Sequence, residues 1–277
     1  MIQLSTLTEP TSAAPQDETI SLTAIIETAL CVGAGGSSGS LADKPILKNA
    51  EGRLVIPASQ LKGRLRHECE KLVQALGWPT CESPVAQRMC PQRAGLSENK
   101  KQQFNRDSYR LHRSPGDTHG EGQTHCLICQ LFGNPALPAR LQFSDLVCTE
   151  PAENIPDVLR PGVTINRRRR TAEEKKLYFL ETSPANLALK FEGSLLLHSP
   201  WRLTNENTEN LTFAKALIVT GLKHIYALGG GKSTGLGWLH WEFDKAQMTI
   251  SDEAWGWLRN ADEQPPTEQT HTPEGGA

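Results

Sequence analysis

The 277-residue sequence predicts an α+β fold, in which helices cover one face of an antiparallel sheet. Two observations lead there. Short β-branched, apolar segments are interleaved with two longer segments of helical period, and the long irregular stretch between the two helices carries paired cysteines in place of an apolar core. An apolar content of 38% over this length suffices to bury one elaborated domain with insertions.

Residues 1–18 are poor in core-forming groups, cannot offset their ordering entropy by burial, and are expected to form a mobile arm. Ile20 to Val32 is β-branched and apolar and ends at Gly33, which predicts the first strand. Leu54 to Pro57 is a short extended piece that delivers the chain to Ser59, the expected N-cap of a helix. That helix runs to Leu76, since Leu61, Leu65, Leu72 and Leu76 recur at helical spacing and Gly77 supplies a stop. Residues 79–140 form an insertion whose first part shows neither period and is full of Pro, Gly, Arg and Ser. Leu141 to Val147, Tyr178 to Leu180 and Leu187 to Leu197 read as strands. Leu211 to Leu228 has apolar residues near i, i+3, i+4 and i+7, a second helix that runs directly into a glycine loop, and Leu236 to Phe243 is the last strand. The order strand, helix, strands, helix, strand is that of a ferredoxin-like (RRM-like) unit. It spans 19–245, and residues 246–277 follow as an acidic, largely mobile tail.

The formal net charge of −2 hides an asymmetry. Arg160 to Lys176 is strongly basic, whereas from Glu242 onward only Lys245 and Arg259 oppose the acids, so the sum does not exclude a polyanionic partner. No stretch has the roughly 20 apolar residues of a membrane span, and the N-terminus lacks the basic and apolar regions of a signal peptide; a cytoplasmic protein without membrane contact is expected. Seven cysteines in a reducing compartment are not expected to pair as disulfides.

The loop Gly229, Gly230, Gly231, Lys232, Ser233, Thr234, Gly235, Leu236, Gly237 invites comparison with nucleotide-binding loops. A Walker A loop needs glycine where Tyr226 stands, and both it and the Rossmann loop join a strand to a following helix, whereas this loop follows a helix and precedes a strand. Either it is a flexible turn, or a run without Cβ atoms beside Lys232 and Ser233 lets a phosphate backbone approach.

A helix followed by this loop and a terminal strand resembles the RAMP superfamily, and in particular the backbone subunits of type III CRISPR effector complexes. Gly35-Gly36 through Asp43-Lys44-Pro45-Ile46, and then Ile56 to Arg66 (IPASQLKGRLR), are similar to the family's first loop and helix start. Val163 to Arg167 through Tyr178 to Glu181 is similar to its hairpin, placing a β-hairpin thumb at 158–184. Ala58 stands where the family often has glycine, and Asn166 where it often has aspartate.

The resemblance implies a guide (CRISPR) RNA, a complementary target RNA and other effector subunits as partners. It also implies a catalytic acid at Asp43, which would act as base or hold Mg²⁺ or Mn²⁺ during target cleavage. The rival reading of Asp43 is a turn residue before Lys-Pro. A subunit that only binds guide RNA, or a standalone guide-processing endoribonuclease of the same superfamily, are the alternatives; the latter would use a histidine and no metal, whereas His67 and His224 fall in predicted helices that suit core or surface roles more than a general base.

Cys126 and Cys129 form a CxxC, and Cys81 and Cys90 a second pair; together they can complete a tetrahedral zinc site that folds the insertion. The resemblance implies the same structural Zn²⁺, just before Phe132-Gly133. A redox CxxC is the rival, and His125, then His112 and His119, are the substitute ligands. Cys31, Cys69 and Cys148 are expected to be buried as small apolar groups. Arg167, Arg168, Arg169 and Arg170 read either as a solvated run or as a hairpin tip that meets phosphates and bases, and Ser59, Lys62, Arg64 and Arg66 as the helix start along which RNA lies.

Overall fold

The computed structural model describes residues 18–35, 42–77, 80–90, 92, 94–105, 125–198 and 209–244. Residues 1–17 of the expected arm, the tail 246–277, His112 and His119 lie outside the described residues.

The elements are, in order, β1 (Glu18–Ile26), β2 (Val55–Ile56), α1 (Ala58–Ala75), α2 (Glu98–Asn105), α3 (Leu127–Phe132), β3 (Leu141–Phe143), β4 (Leu146–Cys148), β5 (Val158–Asn166), β6 (Thr171–Thr182), β7 (Leu189–Leu197), α4 (Glu209–Lys223) and β8 (Leu239–Glu242). The main sheet runs β2-β4-β7-β1-β8 with β3 also on β7, every pair antiparallel. β5 and β6 form a separate two-stranded hairpin. Mixed α+β architecture with antiparallel sheets is therefore what the sequence folds into.

Alternation in β1 buries Ile20, Leu22, Ala24 and Ile26. Opposite them in register stand Leu195, Gly193, Phe191 and Leu189 of β7, so the two strands present one apolar face. α1 turns Leu61, Leu65, Cys69 and Val73 into the same core, and α4 adds Leu217, Ile218 and Leu222. The helices touch closely at Gly221, where a Cβ would stand 2.7 Å from the Cys69 sulfur. Among the described residues no helix is long and apolar enough to cross a membrane.

Four boundaries differ from the sequence expectation, each because a tertiary contact takes over the backbone. The first strand stops at Ile26, not Val32: Leu30 exchanges hydrogen bonds with Ser183, and the carbonyls of Ala29 and Cys31 accept the amides of Gly237 and Gly230. α1 begins at Ala58 after Pro57, which offers no side-chain cap, so Ser59 is not the N-cap. Asp145 supplies the missing acceptor from across the sheet, its Oδ1 2.7 Å from the Ala58 amide. That residue also interrupts the predicted strand 141–147, which becomes β3 and β4. α4 ends at Lys223, and Ile225 to Leu228 runs extended against Gly237 to Leu239, so the glycine loop follows an extended segment and not the helix itself.

Candidate functional site

The cysteine quartet is the most tightly built feature of the insertion. Cys81, Cys90, Cys126 and Cys129 are all buried, and their sulfurs lie within 4.8 Å of one another. The Cys81 sulfur is 3.5 Å from that of Cys129 and 3.7 Å from that of Cys126. Zinc–sulfur bonds of about 2.3 Å in a tetrahedron put sulfurs about 3.8 Å apart, so the spacing suits a structural metal such as zinc. The amide of Cys126 donates to the Cys90 sulfur at 3.4 Å. His125 is not needed as a ligand; its Nδ1 meets Asn134 at 3.0 Å. The Cys81 thiol is held at about 7 by its sulfur neighbours, Cys126 foremost, while the same crowding and burial push Cys126 up.

A second assembly joins elements far apart in sequence. A cleft of about 490 Å³ is lined by Cys31, Gly33, Gly35, Asp43, Lys44, Gln60, Leu180, Gly230 and Gly231. The glycine loop forms one wall because its backbone is left-handed at Gly229, Gly231, Gly235 and Gly237. The tightest approach is at Gly237, where a Cβ would lie 1.8 Å from the Leu228 carbonyl oxygen. The loop is also rigid within itself. Lys232 Nζ donates to the Gly229 carbonyl at 3.1 Å and Thr234 Oγ1 to that of Gly231 at 2.8 Å, around a single 3₁₀ turn at Lys232–Thr234. Lys232, Ser233 and Thr234 are exposed. Burial raises the pKa of Cys31 in this cleft, and the charges of Lys44 and Arg160 pull it the other way.

Asp43 is exposed on the opposite wall and fastened to the hairpin. Its Oδ2 accepts the Phe179 amide at 2.8 Å, and its own amide donates to the Phe179 carbonyl at 3.0 Å. Oδ1 has no hydrogen-bond partner among the described residues. β5 and β6 carry the four arginines, Arg167 to Arg170, in an exposed turn, where Asn166 Oδ1 accepts the amides of Arg168 and Arg169.

The basic residues of α1 are not one surface. Arg64 pairs with Glu68 at 2.8 Å, and its guanidinium carbon lies 5.9 Å from the ring centre of the exposed Tyr226. Arg66 pairs with Glu70, donates to the Gly133 carbonyl at 3.0 Å and reaches within 3.9 Å of the Cys129 sulfur, so it braces the cysteine cluster. Ser59 and Lys62 line a separate groove of about 370 Å³ beside β3, with Phe143 and His198. Burial there, with Arg66 adding, holds the Lys62 ammonium below its ordinary range.

Sequence reading missed Gln60, Lys44 and Leu180 as parts of the cleft. Lys44 and Gln60 sat inside motifs already singled out, but Leu180 reaches the cleft only through hairpin pairing, which leaves no local signal. Residues 23–240 match the family model described as RAMPs, the RAMP superfamily. No curated protein matches the chain.

Proposed function

The chain belongs to the RAMP superfamily, and we propose that it is a CRISPR-associated backbone subunit of a type III effector complex in the cytoplasm, which binds guide RNA and cleaves complementary target RNA. One observation carries the reading: a single cleft gathers the glycine loop, the acidic loop and the start of α1. Glycine backbone on one wall and the cations Lys44 and Arg160 near the other suit a sugar-phosphate chain threaded without reference to sequence. The strand order around β1, with α1 and α4 packed together, supports a ferredoxin-like core beneath it.

In this reading Asp43 is the catalytic residue. Its free Oδ1 accepts the proton of a 2′-hydroxyl as that oxygen attacks the adjacent phosphorus and the 5′-oxygen leaves, while the Phe179 amide on Oδ2 fixes the carboxylate's direction. One carboxylate with a phosphate also fits a hydrated Mg²⁺ or Mn²⁺, which would neutralise charge on the reacting phosphate. The arginine turn of the hairpin lies along the guide and target strands, and neighbouring effector subunits extend the same path.

A second reading rests on the same Asp43 bond: a carboxylate engaged with Phe179 serves as a clip in a subunit that only binds. The test is the assembled ribonucleoprotein with complementary RNA, with and without Mg²⁺. Asp43→Asn keeps an acceptor for Phe179 and removes the charge. Loss of metal-dependent cutting with target binding intact supports catalysis, and unchanged cutting leaves the clip.

A further inference from the structure

Gln60 is the one residue of α1 that lines the cleft, and the carbonyl of its terminal amide is unsatisfied. Oε1 is shut off from solvent and has no hydrogen-bond partner among the described residues. The main-chain amide of the same residue is satisfied, donating to the Pro57 carbonyl at 2.9 Å. An amide carbonyl held away from water and from donors is a standing cost, tolerated where a ligand completes it. The terminal torsion of a glutamine is broad and roughly two-fold, so turning the amide over about it brings Oε1 to the cleft.

What could donate to it follows from chemistry. The sugar-phosphate backbone of DNA offers acceptors only: phosphate oxygens, ester oxygens and the ring oxygen. RNA adds one donor per residue, the ribose 2′-hydroxyl. A cleft walled by glycine backbone admits the strand by its backbone, leaving base edges elsewhere, so an unpaired acceptor in that wall has one complementary group in the ligand.

We propose that Gln60 Oε1 accepts a hydrogen bond from a ribose 2′-hydroxyl and makes this cleft select RNA over DNA. The inference rests on the reading of the cleft as the RNA backbone site. It gives Gln60 a role distinct from that of the glycine loop, which meets phosphate and does not tell the two sugars apart. Ser233 and Lys232 end in donors, which any phosphate oxygen satisfies.

The experiment uses the full chain, with fluorescence anisotropy on a mixed-sequence single-stranded RNA, its 2′-O-methyl form and the same-sequence DNA. The wild type is expected to bind RNA more tightly than either of the others, by roughly five- to a hundredfold, the range for satisfying a buried polar group. Gln60→Leu, of similar volume and without the acceptor, is expected to bring RNA down to the DNA level and leave DNA unchanged. Its melting temperature is expected to hold or rise, because the free protein no longer buries an unpaired carbonyl; that measurement excludes loss of folding. Lys232→Ala is expected to weaken RNA and DNA by the same factor. Gln60→Leu that keeps the wild-type RNA to DNA ratio overturns the role. An equal loss on RNA and DNA also overturns it, since it puts the amide nitrogen against a phosphate. Wild type that binds none of the three strands, while remaining folded, overturns the reading of the cleft itself and this inference with it.

Discussion

Replacing Cys126 by serine tests the metal centre and the way the insertion is held. Cys126 sits directly before α3, whose Leu127, Ile128, Leu131 and Phe132 are all buried within the main core cluster. At about 1.5–3 kcal/mol for each large apolar side chain, those four contribute roughly 6–12 kcal/mol, as much as the net stability of a whole domain. The insertion therefore cannot detach while the rest stays folded. Loss of one ligand should appear as a lowered single unfolding transition and not as a separate early one. A structural metal belongs to the small class of losses that exceed about 4 kcal/mol, and at roughly 2–4 °C per kcal/mol for a domain of this size the melting temperature should fall by about 8–16 °C. The assay is zinc content per chain by elemental analysis, paired with calorimetry of wild type and Cys126→Ser. Wild type purified with ample zinc yet lacking stoichiometric metal, or a variant that melts with the wild type, refutes the reasoning. The pH dependence has a definite sign. Zinc binds the thiolate and not the thiol, so each of the four cysteines must lose its proton to hold the metal. Acidification should therefore release metal and stability together.

Asp43→Asn should reduce target cutting by roughly 10²–10⁴-fold, the usual span for a general base, with guide binding unchanged; single-turnover cleavage of labelled RNA measures it. Replacing Arg167 to Arg170 by alanine should flatten the salt dependence of RNA binding by about 0.7 in log–log slope for each single-strand phosphate that the arginines neutralise, and a slope equal to wild type removes the turn from the interface. Gly237→Ala should be far more damaging than Gly235→Ala. Both positions are left-handed, which costs a β-carbon about 1–2 kcal/mol, but only at Gly237 does the new atom fall 1.8 Å from a carbonyl oxygen, while Gly235 opens to space. Equal melting temperatures for the two variants contradict this account of the loop.

Much of the frame was legible because it depends on local pattern. The cysteine ligands could be read from spacing, since their chemistry admits few partners, and α1 from its leucines. Even there the buried stripe passes through Cys69 and Val73, while Leu72 and Leu76 are only partly covered: helical period finds the helix more surely than the exact face. The ends of β1 and α4 were not legible, because Ala29, Cys31 and Tyr226 spend backbone groups on the glycine loop and β8, partners about 200 residues away or reached only after the turn closes. The arginines of α1 misled for a related reason. Glu68 and Glu70, each four residues further along the helix, neutralise them locally, so a basic face in sequence is a paired face in space.

The placement of Asp43 alters how its loop should be understood. Besides the carboxylate bond to Phe179, the Lys44 amide donates to the Phe179 carbonyl, the Glu181 amide donates to the Lys44 carbonyl, and Glu181 Oε2 accepts the Ile46 amide at 2.8 Å. The acidic loop is thus bonded to β6 along its length, while the glycine loop is bonded to the segment after β1 through Gly230 and Gly237. The segment after β1 ties both walls together, since the Ala34 amide also donates to the Pro45 carbonyl at 2.9 Å and the Leu47 amide to the Val32 carbonyl at 2.8 Å, so acidic loop and glycine loop are held by one stretch of backbone.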